Sequence, residues 1–246
     1  EILSGLVGSE MCIRDRYGVT GMTTKAVHSQ TTDNSAAVVG SRSLRVRRVI
    51  TTRAGGFSTG RYHGLNLSLD VGDNPVTVAH NRERLAEKLH LPLERFVYME
   101  QLQSPHVSVI EATADTRFTA PIPATDAVVT TAPELALVVL TADAVPVLLG
   151  DDEAGVIAAL HGSLFGIRAG LIANTVDAMQ QLDADPHRMH ALLGPSATGR
   201  NMRVSEAVAA DMENRVPHTR SKTPQGQPSV DLRRGIAYQL VQAGLA

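Results

Sequence analysis

The stretch LALVVLTADAVPVLLGDDEAGVIAALHGSLFGIRAG occupies residues 135–170 and carries the plainest fold signal in the chain. Residues 135–140, 145–149 and 156–160 are three short apolar runs rich in Val, Ile and Leu. Runs of this length, bounded by Asp and Gly, read as strands buried on both faces. Residues 150–155, GDDEAG, are the turn between the last two. Thr141-Ala142-Asp143-Ala144 interrupts the first pair with polar atoms, and a polar break inside a buried sheet costs desolvation unless it is partnered, so it marks a candidate site. His161 follows the third run directly. From Gly166 the period becomes helical, with Ile167, Leu171, Ile172, Val176, Met179 and Leu182 on one face. The stretch therefore reads strand, polar break, strand, turn, strand, histidine, helix.

The whole chain bounds the answer further. Its 246 residues, 43% of them hydrophobic, suit one globular domain with a sizeable core. A formal charge of −2 gives no electrostatic footprint for nucleic acid or an anionic membrane, and no apolar run approaches membrane-spanning length. Aromatic residues are 3% and Trp is absent, which argues against a stacking platform for single strands. The single cysteine excludes an internal disulfide framework and fits a reducing compartment, so a cytoplasmic location is expected.

At the start of the chain, residues 6–16 back-translate to the adapter of transposon-based sequencing libraries. The expectation is that residues 1–16 are a translated adapter, that the only cysteine, Cys12, lies in it, and that Met22 is the natural start. Residues 17–44, rich in Thr, Ser, Asn and Ala, read as a flexible tail ahead of one domain at 45–246. Residues 45–50, 65–69, 96–99, 107–110, 126–130 and 189–193 read as further strands. Asp73-Asn74-Pro75 starts a helix carrying Val78, Arg82, Leu85, Ala86 and Leu89. Ser205 caps a helix through Val208, Met212 and Val216, residues 217–229 read as a loop, and Asp231 caps a last helix burying Leu232, Ile236 and Leu240. Gly244 is a helix-stop glycine with no strand following, which reads as a domain truncated at its C-terminus.

Taken in order, Thr52-Arg53-Ala54-Gly55-Gly56, Leu65-Asn66-Leu67, Val71-Gly72-Asp73-Asn74-Pro75, Asn81-Arg82, Glu100-Gln101, Asp126-Ala127, Thr141-Ala142-Asp143, Pro146-Val147-Leu148-Leu149, His161 and Leu193-Gly194-Pro195 resemble the laccase-domain family, also called the multicopper polyphenol oxidase family. The resemblance implies an α/β fold of the α+β type, a layered sandwich of mixed β-sheets with flanking helices. It implies zinc-dependent phosphorolysis of purine nucleosides, with adenosine deamination as a side activity, so purine nucleoside and phosphate are the implied partners. The family's zinc is held by a His, a Cys and a His. Those positions here are Gln103, Ala144 and His161, and only the last is an ordinary zinc ligand. Zinc binding is therefore expected to be weak or absent. A copper oxidase is disfavoured because the Cys and His clusters that copper needs are missing, and the domain has no thiol for nucleophilic catalysis.

Each candidate residue carries two readings. His161 is a metal ligand or catalytic imidazole, or a buried, hydrogen-bonded histidine at a strand end. His106 supplies a replacement metal nitrogen, or is an exposed loop histidine. Asp143 holds a ribose hydroxyl or orients a ligand, or caps backbone groups in the polar break. Arg53, beside Gly55-Gly56, binds substrate phosphate, or is a surface arginine in a turn. Asn66 contacts substrate, or is a polar residue on an edge strand. Two functions follow: a working phosphorylase that runs without the family's zinc or with a rebuilt site, or a non-catalytic homologue that binds a nucleoside or a protein.

Overall fold

The computed structural model describes residues 8–15 and 45–245. Residues 17–44, expected as a tail, lie outside the described residues. The elements run β1 (Gly8–Asp15), β2 (Arg45–Ile50), α1 (Pro75–Leu89), β3 (Phe96–Val97), β4 (Val107–Val109), β5 (Ala127–Thr130), β6 (Leu135–Thr141), β7 (Val145–Asp151) and β8 (Val156–Gly162). They continue with α2 (Leu164–Arg168), α3 (Leu171–Gln180), β9 (His190–Leu193), α4 (Glu206–Arg215), β10 (Arg220–Lys222), β11 (Pro228–Val230) and α5 (Leu232–Gln242).

Two mixed sheets result, one ordered β2-β1-β6-β3 and the other β4-β5-β8-β7-β9, with β10 and β11 a separate hairpin. The apolar runs of 135–160 supply β6, β7 and β8, and their side chains explain why no polar alternation is seen. On β6, Leu135, Leu137 and Val139 meet Leu148, Ile157 and Ala159 between the two sheets. The alternate residues Ala136 and Val138 pack with Leu67, Leu85 and Phe96 under α1. On the far side, Val147, Leu149, Ala158 and Leu160 meet Ile167, Leu171, Val176 and Ile236 of the outer helices. Both faces of each sheet are thus covered, and each fully buried Leu or Val stabilises the fold by about 2 kcal/mol. The layers run helix, sheet, sheet, helices.

Capping agrees with the sequence. Asn74, Ser205 and Asp231 accept backbone hydrogen bonds at the first turns of α1, α4 and α5. Three expectations are corrected. Residues 65–69 form no strand, because the Asn66 amide oxygen takes the Ser68 N–H at 3.1 Å and turns the chain locally. Residues 217–229 contain the β10–β11 hairpin. The helix expected from Gly166 breaks at Gly170, whose φ of +99° ends α2 and starts α3. Along α4 and its end, Val208 is exposed and Met212 and Val216 are buried.

β1 lies between β2 and β6, antiparallel to both. It falls in the run that matches the library adapter. The pairing on both sides is made through backbone N–H and C=O groups.

Candidate functional site

The chain crosses between the sheets at the polar break. β6 belongs to one sheet and β7 to the other, so Ala142, Asp143 and Ala144 sit at the seam between them. The last turn of β8 delivers His161 to the same seam. A cavity of about 210 Å³ opens there, lined by His161, Gln103, Gln101, Thr141, Met99 and Asp70, among others.

His161 is held from behind. Its Nδ1 stands 2.9 Å from Asp126 Oδ1, and its backbone N–H donates to the Asp126 carbonyl at 2.8 Å. Asp126 is fully buried at the head of β5. The same carboxylate accepts from the backbone N–H groups of Leu102, Gln103 and Ser104 at 3.1, 3.0 and 2.8 Å, and from Ser104 Oγ at 2.9 Å. Burial works to raise its pKa, but the bonds from His161 and Ser104 outweigh it and hold the carboxyl below the ordinary carboxylate value. An ionised Asp126 fixes the His161 tautomer with the proton on Nδ1, which leaves Nε2 as the free nitrogen of the ring. The strand-end histidine is therefore hydrogen-bonded and also lines a cavity.

Asp126 also shapes the loop that carries Gln103. Gathering three successive N–H groups on one carboxylate forces a tight curl, and Gln103 has φ +60°. Gln101 completes the wall by pairing both ends of its amide with the backbone of Leu140, at 2.7 and 2.9 Å.

The other residues singled out from sequence are placed as follows. Gln103 and His161 share the cavity. Asp143 is exposed and lines a different, larger cleft of about 830 Å³ with Arg200 and Arg203; its carboxylate caps nothing among the described residues. Asn66 is buried rather than on an edge strand. Its amide donates to Asp73 Oδ2 at 2.9 Å, within a network that ties Ser58 and Asn81 to the start of α1. Burial raises the Asp73 pKa, but the bonds from Asn66, Ser58 and the Asn74 N–H outweigh it and bring it below the ordinary value. Arg53 donates from Nε to the His63 carbonyl at 3.0 Å and does not line the His161 cavity. His106 is exposed and also stands outside the cavity lining. Sequence reasoning gave no role to Asp126, Ser104 or Gln101. Their signal was a lone carboxylate at the head of an apolar strand, which a buried interior tolerates only when it is fully bonded.

The donor set does not fit the zinc that the family resemblance implies. Ala144 offers no donor atom, and Gln103 offers only a neutral amide. Among the described residues no group of three or more His, Cys, Asp or Glu is arranged to hold a metal ion.

A two-sheet sandwich with helices on both outer faces and an Asp-anchored histidine at the seam defines a layered α/β protein with a cavity between its sheets. Residues 47–246 match the family model described as multi-copper polyphenol oxidoreductase laccase, and the chain belongs to that family. Among curated relatives, a purine nucleoside phosphorylase of Corynebacterium glutamicum is 47% identical over 205 residues, covering 83% of this chain and 82% of the relative. One from Mycobacterium tuberculosis is 43% identical over 206 residues, covering 84% and 81%. Among solved structures, YlmD from Geobacillus stearothermophilus superposes with a TM-score of 0.73 at 29% identity, covering 80% of this chain and 76% of that one. A Neisseria meningitidis protein gives 0.68 at 32% identity, covering 80% and 79%.

Proposed function

We propose that this chain binds a purine nucleoside at the His161 cavity and cleaves it with phosphate slowly and without a resident metal. The observation that carries the proposal is the Asp126–His161 pair at a cavity that Gln103 also lines, while Gln103 and Ala144, the other two positions the family resemblance assigns to the metal, carry no ordinary zinc donor. The names of relatives 43–47% identical support the substrate class.

In this reaction a phosphate oxygen forms a bond to C1′ of the ribose as the C1′–N9 bond breaks. The bonding pair leaves with the purine, which must take a proton. His161, its Nδ1–H held by the ionised Asp126, takes a proton at Nε2 from the incoming phosphate monoanion and passes it to the departing base. Asp70, on the same wall, suits a ribose hydroxyl. Without a metal to draw charge from the base, turnover rests on this one donor, and rates well below those of metal-bearing relatives are expected.

The experiment is phosphate-dependent release of hypoxanthine from inosine and adenine from adenosine, with and without a chelator. Slow release that survives chelation and is lost in His161→Ala supports the proposal. A second reading, nucleoside binding without turnover, is favoured by the absence of any Lys or Arg in the described lining of the cavity, which leaves phosphate no cationic seat. Inosine binding with no base release would establish that reading instead.

A further inference from the structure

Two carboxamides line the His161 cavity, and they are in opposite states. Gln101 is spent: its Nε2 donates to the Leu140 carbonyl at 2.7 Å, and its Oε1 accepts from the Leu140 N–H at 2.9 Å. Gln103 is exposed, and its side-chain amide makes no hydrogen bond among the described residues. That free amide stands on a fixed base. The buried Asp126 carboxylate gathers the backbone N–H groups of Leu102, Gln103 and Ser104, so the main chain at 103 is already placed. Only side-chain torsions remain to be ordered when a ligand binds, which keeps the cost of using the amide low. Met99, Leu140 and Val71 supply apolar surface in the same cavity for a flat ring.

A carboxamide presents one donor side and one acceptor side in a single plane. When a purine leaves a ribose, the bonding pair stays on its five-membered ring, where N9 shares it with N7. A donor at N7 therefore stabilises the departing base more as the bond breaks. N7 lies beside the 6-substituent, so an amide whose Nε2 donates to N7 sets its Oε1 opposite that group. A 6-amino group donates to Oε1, and both ends of the amide are paired. A 6-oxo group is a second acceptor, so in either orientation of the amide two acceptors face each other. The same complementarity pairs Gln with N6 and N7 of adenine in the DNA major groove.

We infer that Gln103 is the specificity-determining residue of this cavity and selects 6-aminopurine nucleosides over 6-oxopurine ones. Its Nε2 donates to N7 and its Oε1 accepts from the 6-amino group. N3, on the far side of N9, is left for the proton that His161 passes on. The inference rests on the nucleoside-binding reading proposed above, but it concerns binding and needs no turnover.

The test is calorimetry on the full chain with adenosine, inosine and 7-deazaadenosine, which keeps the amino group and lacks the N7 acceptor. Adenosine is expected to bind about tenfold or more tightly than either of the others. It is also expected to shift the Gln103 side-chain NH₂ signals in NMR spectra. Gln103→Leu keeps the size of the side chain and removes the amide, and is expected to abolish the preference among the three. The native-chain comparison needs no variant and is decisive by itself. Equal or tighter binding of inosine, 7-deazaadenosine equal to adenosine, or a preference kept by folded Gln103→Leu would each overturn the inference. If all three bind the native chain alike, the inference fails while the nucleoside-binding reading stands. If none binds, both fail.

Discussion

Asp126 Oδ1 and His161 Nδ1 stand 2.9 Å apart, and that single carboxylate also carries three backbone N–H groups of residues 102–104. The residue that orients the histidine is thus the residue that folds the opposite wall of its cavity. Asp126→Asn places an NH₂ group against donors and is expected to lower any phosphorolysis by about 10–100-fold. It is also expected to destabilise the fold by about 2–3 kcal/mol through unpaired buried N–H groups. Nitrogen-15 shifts of His161 should report the Nδ1–H tautomer in the native chain and lose that signature in the variant, which a loss of stability alone would not do.

The ligand positions that resemblance assigns to the metal can be refilled. Gln103 has φ +60°, which His tolerates, and Ala144 is half-buried at the seam. The double variant Gln103→His, Ala144→Cys is expected to hold about one zinc per chain, because it would join two new donors to His161. Metal content by emission spectrometry, paired with base release from inosine, checks it. A double variant that folds yet binds no zinc would mean that the loop at 103 and the seam at 144 do not converge on His161.

Arg95 ties together two connections outside the lining of the His161 cavity. It is buried, and donates to the carbonyls of Glu134, Thr113, Thr116 and Pro133 at 2.9, 2.8, 3.0 and 3.1 Å. Arg95→Met keeps much of the stem but strands these acceptors, and should cost about 3 kcal/mol in urea unfolding. Inosine binding by the folded fraction is expected to stay unchanged.

Stability against acid should follow three carboxylates. Asp73, Asp126 and Asp151 are each held below the ordinary carboxylate value by hydrogen bonds that outweigh their burial. As pH falls, the unfolded chain takes up protons at these groups before the folded one does. Their stabilising contribution is therefore complete above the ordinary carboxylate value and is lost as pH drops through the folded values, so stability should be flat above about pH 5 and fall below about pH 4. Asp151 accepts from Asp185 N–H and Arg188 Nη2, both at 2.9 Å. Asp151→Asn should lower neutral-pH stability and narrow its gap to the native chain in acid, as read by urea titrations across that range.

The Gly55-Gly56 pair is a packing requirement. A Cβ on Gly56 would lie 2.1 Å from the Gly64 carbonyl carbon, and Gly55 has φ +80°. Gly56→Ala must therefore push apart the segments at 53–58 and 63–66, at a cost of about 3 kcal/mol or more. Thermal unfolding measures it.

Much of this was written locally in the chain. Three short apolar runs without alternation, rich in Val, Ile and Leu and bounded by Asp and Gly, read as strands covered on both faces, so the central strands β6, β7 and β8 and the existence of layers were legible in residues 135–160. Helix starts were equally local, because Asn74, Ser205 and Asp231 each cap through a side chain that reaches only two or three residues ahead. The lost donors at 103 and 144 were visible once the resemblance gave those positions meaning.

Tertiary structure decided the rest. β6 and β7 are separated only by the short polar break yet belong to different sheets, because pairing is chosen by partners far along the chain. Asp126 and His161 are 35 residues apart, and only antiparallel pairing of β5 with β8 makes them neighbours. The same distance effect separated Asp143, exposed in another cleft, from the histidine with which the sequence grouped it. Asn66 looked like a strand residue because its leucine neighbours alternate, but its amide is consumed by Asp73 and Ser68. Backbone propensity and capping act over a few residues and can be read from a line of text. Sheet order, cavity walls and the partner of a buried charge depend on which distant segments bury one another, and that is settled only when the whole core closes.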